Sequence, residues 1–408
     1  MPEWPQIRFD EISAHEKSSI SKPYGSAFTK SDYVPSGVPL VRGVNLGTGR
    51  FHDEDFVYIT EGKADSLPGA NLAPGDLVIT HRGTIGQVSM IPRSPKHERY
   101  VLSTSQVKAR LDSNRAFPEF YYYWLVSPLG QREILQHVST VGVPGLVQPV
   151  ATVKSFRVPN PPLWEQKAVA SVLGALDDKI AINERIASAA DALARNHYER
   201  ERCGLVGQPK RLDRLARVVV GGTPSRANPD YWNQGTVNWI NSGKTNEFRV
   251  IEPSELITEA GLAGSSAKMM PPGATLIGIT GATMGQISRL EITAGGSQNV
   301  AGVWSEDPTL NDWLFYDIQA RVADLTKHAS GGAQQHINKK IITDLDCVAP
   351  DAPKLAAWHK TTAPLMARVT HALLENHTLA ALRDTLLPQL MSGRLRVRDA
   401  EKIVEDHA

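Results

Sequence analysis

The chain has 408 residues, which is too long for one ordinary hydrophobic core and predicts two or three domains. Hydrophobic residues make up 41% and charged residues 21%, as in ordinary soluble globular proteins. The net charge of +1 by itself neither indicates nor excludes a nucleic-acid ligand.

The sequence predicts a cytoplasmic protein. Its two cysteines, Cys203 and Cys347, form neither a CxxC pair nor a metal-ligand cluster, which suits a reducing compartment. Residues 1–17 contain acidic side chains and no apolar core, unlike a signal peptide. No apolar run approaches the roughly 20 residues that cross a bilayer, so no membrane partner is expected.

Residues 1–162 are predicted to form a first α+β domain. Short β-branched runs such as 77–80 are interrupted by glycine turns, and the aromatic stretch 120–125 has helical character. We expect these aromatic side chains to fill the core rather than to stack on bases. The loop at 80–87, THRGTIGQ, is polar and rich in hydrogen-bonding groups.

Charge is distributed unevenly along the chain. Residues 78–115 hold seven Lys or Arg against two acids, and residues 194–217 hold seven against three. Local basic patches of this kind favour contact with phosphates. The alternative for each patch is a solvated surface whose cations are partly ion-paired.

Residues 160–163 read Asn-Pro-Pro-Leu, one aromatic residue short of the Asn-Pro-Pro-Phe/Tyr tetrapeptide with which amino-methyltransferases hold a target adenine. Chemistry on a base would also need a glycine-rich cofactor loop after a strand, and the sequence offers none. Proline is common in the first helical turn because its missing amide has no partner there. We therefore interpret this stretch as the start of a helix.

A long central helix is predicted over 163–205. Apolar and small residues recur alternately four and three positions apart from Val169 to His197, which is typical of a coiled-coil seam. Asn183 lies in this seam, where a buried Asn can fix the register of two helices. The alternative is a half-exposed Asn at the helix surface.

Residues 206–353 are predicted to form a second α+β domain, with a strand at 275–279 and an aromatic helix around 313–316. Its polar loops lie at 221–232 and 241–248. Within the first of these, Asn228-Pro229-Asp230-Tyr231 is a further incomplete match to the methyltransferase tetrapeptide.

A second long helix is predicted over 354–393, followed by a tail at 394–408. Its seam places Asn376 in the same phase as Asn183, and Arg383 interrupts it. We expect Pro364 to start the regular part of this helix and Pro388 with Gly393 to end it.

The two halves of the chain resemble each other. PGDLVITHRGTIGQVS at 74–89 returns as PGATLIGITGATMGQIS at 272–288, and residues 136–162 match 327–353 without a gap. We therefore interpret the chain as two diverged copies of one unit. By this internal symmetry the two long helices would be antiparallel and would bury their seams against each other.

Six polar residues in the loops are candidate DNA contacts: Arg82, Thr84, Gln87, Arg226, Ser242 and Lys244. Arg and Lys pair with guanine and Gln with adenine in the major groove, while hydroxyl groups hold phosphates. The alternative for each is a surface turn that hydrogen-bonds to its own backbone.

The whole pattern resembles the specificity subunit of type I restriction-modification systems. The stretches that carry the resemblance are PPLWEQKAVASVLGALDDKIAINERI from 161, GGTPSRANPDYW from 221 and LRDTLLPQLMSGRLRV from 382. The first copy lacks the Gly-Gly-Thr-Pro opening, and the second long helix lacks the Glu-Gln found at 165–166.

The resemblance implies two pseudo-twofold related α+β target-recognition domains, each reading one half of a bipartite site in double-stranded DNA. A pair of long antiparallel helices would separate them and set the unread gap. It also implies two methyltransferase subunits that bring S-adenosylmethionine for adenine N6 methylation, and two restriction/translocase subunits that bring ATP and Mg²⁺. No catalytic residue, cofactor or metal is then expected on this chain.

Two other functions stay open at this point. One is a non-catalytic assembly scaffold that binds protein partners rather than DNA. The other is a DNA methyltransferase acting alone, which would need the cofactor loop that the sequence does not offer.

Overall fold

The computed structural model describes residues 4–47, 50–139, 144–205, 208–327 and 336–406. The chain forms two compact units. The first unit comprises residues up to 180 together with those from 378 onwards, and the second comprises residues 181–377. Each long helix therefore contributes one segment to each unit.

Among its described residues, the first unit has thirteen strands and most of its helices before residue 163. The strands are β1 (Gln6–Arg8), β2 (Ile20–Ser21), β3 (Tyr33–Val34), β4 (Val38–Val41), β5 (Val57–Ile59), β6 (Asn71–Leu72), β7 (Leu77–Thr80), β8 (Val88–Met90), β9 (Tyr100–Leu102), β10 (Gln106–Ala109), β11 (Val138–Ser139), β12 (Gly145–Leu146) and β13 (Arg157–Pro159) among the described residues. The helices are α1 (Glu61–Asp65), α2 (Pro118–Val126), α3 (Pro128–Leu135), α4 (Pro149–Ser155) and then α5 (Leu163–Cys203), which continues into the second unit.

The second unit has the same kind of composition. Its described strands are β14 (Lys210–Arg211), β15 (Arg217–Val220), β16 (Val237–Ile240), β17 (Arg249–Val250), β18 (Glu255–Ile257), β19 (Met269–Met270), β20 (Thr275–Gly278), β21 (Ile287–Leu290), β22 (Ala294–Gly296), β23 (Val300–Trp304) and β24 (Asp346–Cys347). Its helices are α6 (Glu259–Ala263), α7 (Pro308–Ala320), α8 (Val322–Lys327), α9 (Lys339–Thr343) and α10 (Ala352–Met391), which returns to the first unit before α11 (Val397–Glu405).

The two units repeat one sheet topology. The order β2-β10-β7-β8 in the first unit returns as β15-β23-β20-β21 in the second, and β5-β4-β9-β6 returns as β18-β16-β22-β19. In the latter sheets the central pair is parallel in both units, β4 with β9 and β16 with β22, while the flanking pairs are antiparallel. The repeat seen in the sequence is therefore also present in the strand order, and the predicted α+β class is confirmed.

The aromatic helices lie in the core, as predicted. Phe120 and Tyr121 of α2 are fully buried, and so are Trp313 and Tyr316 of α7. Burial of large aromatic side chains contributes much of the hydrophobic stabilisation of such small domains. These rings are therefore not open platforms on which bases could stack.

The long helices pack against each other within each unit. In the first unit Leu173 and Leu176 of α5 share a core cluster with Leu386 of α10. In the second unit Ala187 of α5 packs with Val369 of α10. Rising residue numbers on α5 meet falling numbers on α10, so the segments run antiparallel, as the internal repeat predicted.

Asn183 is fully buried in the seam rather than half-exposed. Its Nδ2 donates to Glu375 Oε2 of α10 at 2.8 Å. Asn376 is half-buried. A buried amide that must find an acceptor on the facing helix favours one register over its neighbours.

The prediction that Pro364 starts the regular helix is wrong. Pro388 lies inside the helix rather than ending it, whereas Gly393, with a φ of 66°, follows the last helical residue by two positions as expected. α10 runs without a break from Ala352 to Met391. Pro364 has no backbone N–H, so one hydrogen bond of the helix is missing at this position. Leu355 and Trp358, which precede it, are buried, and their packing stabilises the first turns of α10. The Thr362 hydroxyl donates to Trp358 O at 3.1 Å in the same turn.

The start of α5 is fixed by Gln166, which is fully buried. Its Oε1 accepts from the Phe117 N–H at 2.8 Å, and its Nε2 donates to Pro161 O at 2.9 Å. The Asn160-Pro161-Pro162 stretch thus starts a helix, and Gln166 connects this start to the segment before α2 through side-chain hydrogen bonds to backbone groups. At the start of α10, where this Gln is missing, Trp358 instead packs edge-on against Trp313, with ring centroids 5.2 Å apart.

Replacing Gln166 with Ala is expected to lower the free energy of unfolding by about 2–3 kcal/mol, because it leaves the Phe117 N–H and Pro161 O buried without partners. Urea denaturation of the purified chain measures the loss. Trp164, which is 70% exposed two residues earlier, supplies the control. Its replacement with Ala should change the stability by less than about 0.5 kcal/mol, and an equal loss in both variants would contradict the role given to Gln166.

Within the described part of the chain, no helix combines the length and apolarity that crossing a membrane requires.

Candidate nucleic-acid interface

In the first unit, the turn between β7 and β8 is held by its own backbone. The Thr80 N–H donates to Gln87 O at 2.9 Å, and the Gln87 N–H donates to Thr84 O at 3.3 Å. Gly83 and Gly86 both have a φ of 89°, a left-handed conformation that disfavours other residues. Main chain and glycines therefore define the turn, so its exposed side chains are not needed to shape it.

Neighbouring segments hold this turn at the end of the sheet. The His81 N–H donates to Ser105 O at 2.9 Å, and the Leu146 N–H donates to His81 O at 3.0 Å. The His81 ring Nε2 lies 3.0 Å from Thr104 O. Burial lowers the pKa of His81 below its ordinary value, so the imidazole is neutral at pH 7 and links two loops.

The second unit repeats this backbone arrangement in the turn between β20 and β21. The Gly278 N–H donates to Gln286 O at 2.9 Å, and the Gln286 N–H donates to Thr283 O at 3.0 Å. Gly281 and Gly285 have positive φ values of 60° and 81°. The same kind of turn therefore stands at the same place in both sheets.

The flanking contacts are repeated as well. Ile279 occupies the place of His81, since its N–H donates to Asn299 O at 3.0 Å and its carbonyl accepts from the Ile337 N–H at 2.9 Å. The next residue in each unit makes an isolated backbone bridge, Arg82 with Gly145 and Thr280 with His336. Arg82 and Thr280 are therefore structurally equivalent positions.

The turns after β4 and β16 join the same groups of loops. Val41 O accepts from the Ser103 N–H and Ile240 O accepts from the Ser297 N–H, each at 2.9 Å. We call each group a loop cluster. The first cluster comprises residues 42–47, 81–87, 103–105 and 144–148, and the second comprises residues 241–247, 279–286, 297–299 and 336–338.

The second loop cluster surrounds an open cleft of about 610 Å³. Its polar lining consists of hydroxyl, amide and imidazole groups, which belong to Ser242, Thr280, Thr283, Asn299 and His336. Such groups donate and accept hydrogen bonds without a fixed charge. They match the edges of bases and the oxygens of phosphates.

Three of the predicted contact residues are in the first loop cluster. Arg82 and Thr84 are exposed, and neither side chain makes a hydrogen bond or ion pair with any described residue. Gln87 is half-buried, and its Nε2 donates to Gly47 O at 3.3 Å. The structure thus leaves Arg82 and Thr84 available to a ligand, while Gln87 ties two loops together.

Arg226 lies outside the second loop cluster and is engaged within the protein. Its guanidinium makes two hydrogen bonds to the Glu255 carboxylate, at 2.7 and 2.6 Å, and lies 3.5 Å from the centroid of the Trp232 ring. Arg226 holds the pKa of Glu255 below its usual value. To contact DNA, this arginine would have to give up a stacked, bidentate pair.

Lys244 and Ser242, the other two predicted contact residues of the second unit, lie in different environments. Lys244 is buried, and its Nζ lies 2.7 Å from Glu247 Oε1 and 3.1 Å from Glu252 Oε1. Ser242 is half-exposed and lines the cleft. The structure therefore brings Ser242 to the candidate interface but gives Lys244 carboxylate partners.

The basic patch at 78–115 is mostly paired with acids elsewhere in the sequence. Arg93, Lys96, Arg99 and Arg110 form ion pairs with Glu119, Glu54, Glu61 and Asp76, and Lys108 is buried with its Nζ donating to Asn71 O at 2.9 Å. Of the Lys and Arg residues in this segment, only Arg82 and Arg115 are exposed without an ion pair to a described residue. The ion-paired alternative therefore describes most of the patch.

Sequence reasoning missed Thr280, Thr283, Asn299 and His336. The self-alignment contained a signal for some of them, because its constant offset pairs 145 with 336, and the aligned glycine turns pair 82 with 280. Individually, such short polar residues look like any surface turn.

No group of three or more His, Cys, Asp or Glu side chains among the described residues has a geometry that would hold a metal ion.

Comparison with known proteins identifies similar sequences and a similar fold. Residues 26–190 match the family model described as the type I restriction modification DNA specificity domain. The specificity subunit of the type I enzyme HindI from Haemophilus influenzae is 21% identical over 191 residues, 46% of this chain and 41% of that protein. The specificity subunit of EcoR124I/EcoR124II from Escherichia coli is 20% identical over 264 residues, 61% of this chain and 63% of that protein.

A third relative extends over most of both chains. The putative MjaX specificity subunit from Methanocaldococcus jannaschii is 19% identical over 385 residues, 89% of this chain and 88% of that protein. A crystal structure of a type I system S subunit from M. genitalium aligns with a TM-score of 0.61 and 14% identity, covering 95% of this chain and 96% of that chain. That likeness shows a shared fold, and the matched domain and relatives confirm the resemblance found in the sequence.

Proposed function

From its likeness to the specificity subunits of type I restriction-modification systems, we propose that this chain is the DNA-recognition subunit of such an enzyme. It reads a bipartite site in double-stranded DNA, one half with each loop cluster. It carries no catalytic residue itself. Two methyltransferase subunits supply S-adenosylmethionine and adenine N6 methylation, and two restriction/translocase subunits supply ATP hydrolysis with Mg²⁺.

The observation that carries the proposal is that the two loop clusters share a backbone framework but present different side chains. Both loop clusters use the same set of backbone hydrogen bonds, yet Arg82 stands in the first where Thr280 stands in the second. A protein that reads two different half-sites needs this combination, since the framework positions each loop while the side chains select the bases.

The long helices support the spacer part of the proposal. α5 has 41 residues, which at 1.5 Å per residue corresponds to roughly 60 Å. Half-sites one helical turn apart on DNA are separated by about 34–36 Å, so a helix of this length is long enough to serve as the spacer. Exposed surface along the same helices would receive the methyltransferase subunits.

The alternative functions draw less support from the structure. In a methyltransferase acting alone, the Asn160 tetrapeptide would have to face a cofactor site. Instead, the Asn160 N–H donates to Pro5 O at 2.9 Å, and the following prolines start α5. A scaffold that binds only protein would not need polar loop clusters whose side chains differ between two similar backbone frameworks.

Arg82→Ala is expected to weaken binding of the methyltransferase-bound chain to its target duplex by about tenfold, since an arginine contact to a base contributes roughly 1–3 kcal/mol. The target comes from sequencing methylated adenines in the host genome, and affinity is measured by gel shift at fixed salt. Arg115→Ala is the matched control. Arg115 is also exposed and free of ion pairs to described residues, but it lies beyond the other end of β10.

Arg115→Ala should change the affinity for the target duplex by less than about twofold, because we expect Arg115 to contact neither a phosphate nor a base. Equal weakening by both variants would indicate a general charge effect and contradict a specific role for Arg82. Absence of any preference among duplexes by the wild-type complex would favour the scaffold. Methyl transfer by the isolated chain would favour the stand-alone enzyme.

A further inference from the structure

In the second unit, a buried aspartate of α5 accepts hydrogen bonds from side chains of a β-strand and of another helix. Asp191 Oδ1 accepts from Arg249 Nη2 at 2.9 Å and from the Tyr316 hydroxyl at 3.0 Å. Arg249 belongs to β17 and Tyr316 to α7, so one carboxylate joins the long helix to a sheet and to the aromatic helix. We call Asp191, Arg249 and Tyr316 the helix anchor.

The helix anchor is buried, with the Asp191 side chain 8% exposed. The Arg249 side chain is 0% exposed, lies 4.6 Å from the centroid of the Phe315 ring, and places Nη1 3.4 Å from Glu291 Oε1. Further ion pairs run from Glu291 through Arg289 to Asp312 at 2.6 and 2.8 Å. His359 of α10 lies 3.2 Å from Asp312, so both long helices take part in the network.

Such a network contributes little net stability, because removing each charge from water costs about as much as the pairing returns. It does define geometry. Apolar packing has no preferred direction, whereas an arginine fork and a tyrosine hydroxyl accept only a narrow range of positions for the carboxylate. The anchor therefore selects one placement of the second unit's sheets on its own segment of α5.

The first unit contains a comparable contact. The Tyr123 hydroxyl of α2 donates to Asp177 Oδ2 of α5 at 2.8 Å, and Arg383 Nη1 of α10 donates to Asp177 Oδ1 at 2.9 Å. In both units the aromatic helix thus places a tyrosine hydroxyl on a buried aspartate of α5. The recurrence of this tyrosine–aspartate contact in both units indicates that each set of sheets is positioned on α5 more narrowly than apolar packing alone would require.

We propose that the helix anchor determines which gap between half-sites the protein accepts, with Asp191, Arg249 and Tyr316 as positioning residues. The inference rests on the proposed function. One added base pair moves a half-site by about 3.4 Å and turns it by about 35° around the duplex axis. A recognition unit held in one placement rejects such a shift, and a loosened unit tolerates it.

The experiment uses the methyltransferase-bound chain and duplexes in which both half-sites are kept while the gap is lengthened or shortened by one base pair. We expect the wild-type complex to favour its natural gap by about tenfold or more, in the range that one mismatched base pair costs. Asp191→Asn and Tyr316→Phe should each reduce this preference to about threefold or less. The penalty for a mismatch inside either half-site should stay unchanged.

Ile342→Val controls for a general loss of stability, because Ile342 is fully buried in a separate core cluster of the same unit. It should leave the gap preference at its wild-type value. The inference would be overturned if both anchor variants kept the wild-type gap preference, or if they also lost discrimination within the half-sites. Either result would leave the proposed function intact. A wild-type complex with no bipartite site would instead remove the proposed function on which the inference rests.

Discussion

Replacing Arg249 with Met is expected to lower the free energy of unfolding by about 3–5 kcal/mol, the usual cost of removing one partner from a buried ion pair. The side chain is 0% exposed, and its loss leaves Asp191 buried with the Tyr316 hydroxyl as its nearest remaining donor. That carboxylate keeps the cost of desolvation, and its one remaining ion pair among the described residues is with the half-exposed Arg195, at 3.6 Å. Urea denaturation of the purified chain gives the difference.

Arg226→Met is the matched control, because Arg226 also forms two hydrogen bonds to acidic side chains of the same unit, both to Glu255, but its side chain is 55% exposed. We expect a loss of about 1 kcal/mol or less there. A double variant, Arg249→Met with Asp191→Leu, should recover at least half of the stability lost by Arg249→Met, since it leaves no orphaned carboxylate at Asp191. Equal losses at the two arginines would show that burial is not what makes Arg249 important.

Exchange of residues 206–353 for the same segment of a relative with a different target is expected to change one half of the recognised site and to leave the other half unchanged. Each altered base pair costs about 1–3 kcal/mol, so binding to the original site should fall by roughly a hundredfold or more. Sequencing of methylated adenines in cells that express the chimaera with its methyltransferase partner reports both halves and the gap together.

The choice of relative matters for that experiment, because Arg249 and Tyr316 are inside the exchanged segment while Asp191 is not. A chimaera that keeps Arg and Tyr at these two positions should also keep the natural gap. A change in both halves of the site, or in neither, would contradict the assignment of one half to each unit.

Much of the fold was accessible from the sequence because its signals are local or repeated. The four-three spacing from Val169 onwards predicted α5, and its bounds fall within two residues of those expected. The recurrence of the glycine turns at 74–89 and 272–288 indicated two copies, and the strand orders repeat accordingly. Proline was a misleading signal in α10, where packing of Trp358 outweighs the missing hydrogen bond at Pro364.

The candidate site was less accessible because charge partners are set by tertiary structure. Arg226 and Glu255 are 29 residues apart, and Lys244 pairs with Glu252 eight residues later. Neither of these two spacings has a periodicity that indicates pairing, although the second contact of Lys244, with Glu247, is local. Arg82 was recognisable as a candidate, but its lack of an acidic partner among the described residues became visible only once the neighbouring cations had been matched with theirs.

The backbone framework of the loop clusters has an evolutionary consequence. Because amides, carbonyls and glycines hold the turns, we expect single mutations of residues such as Arg82, Thr84 and Thr280 to leave the shape of the turns unchanged. New target preferences can then arise one residue at a time on an intact scaffold. Under the proposed function, a host could thereby alter which foreign DNA it rejects while keeping the partner subunits unchanged.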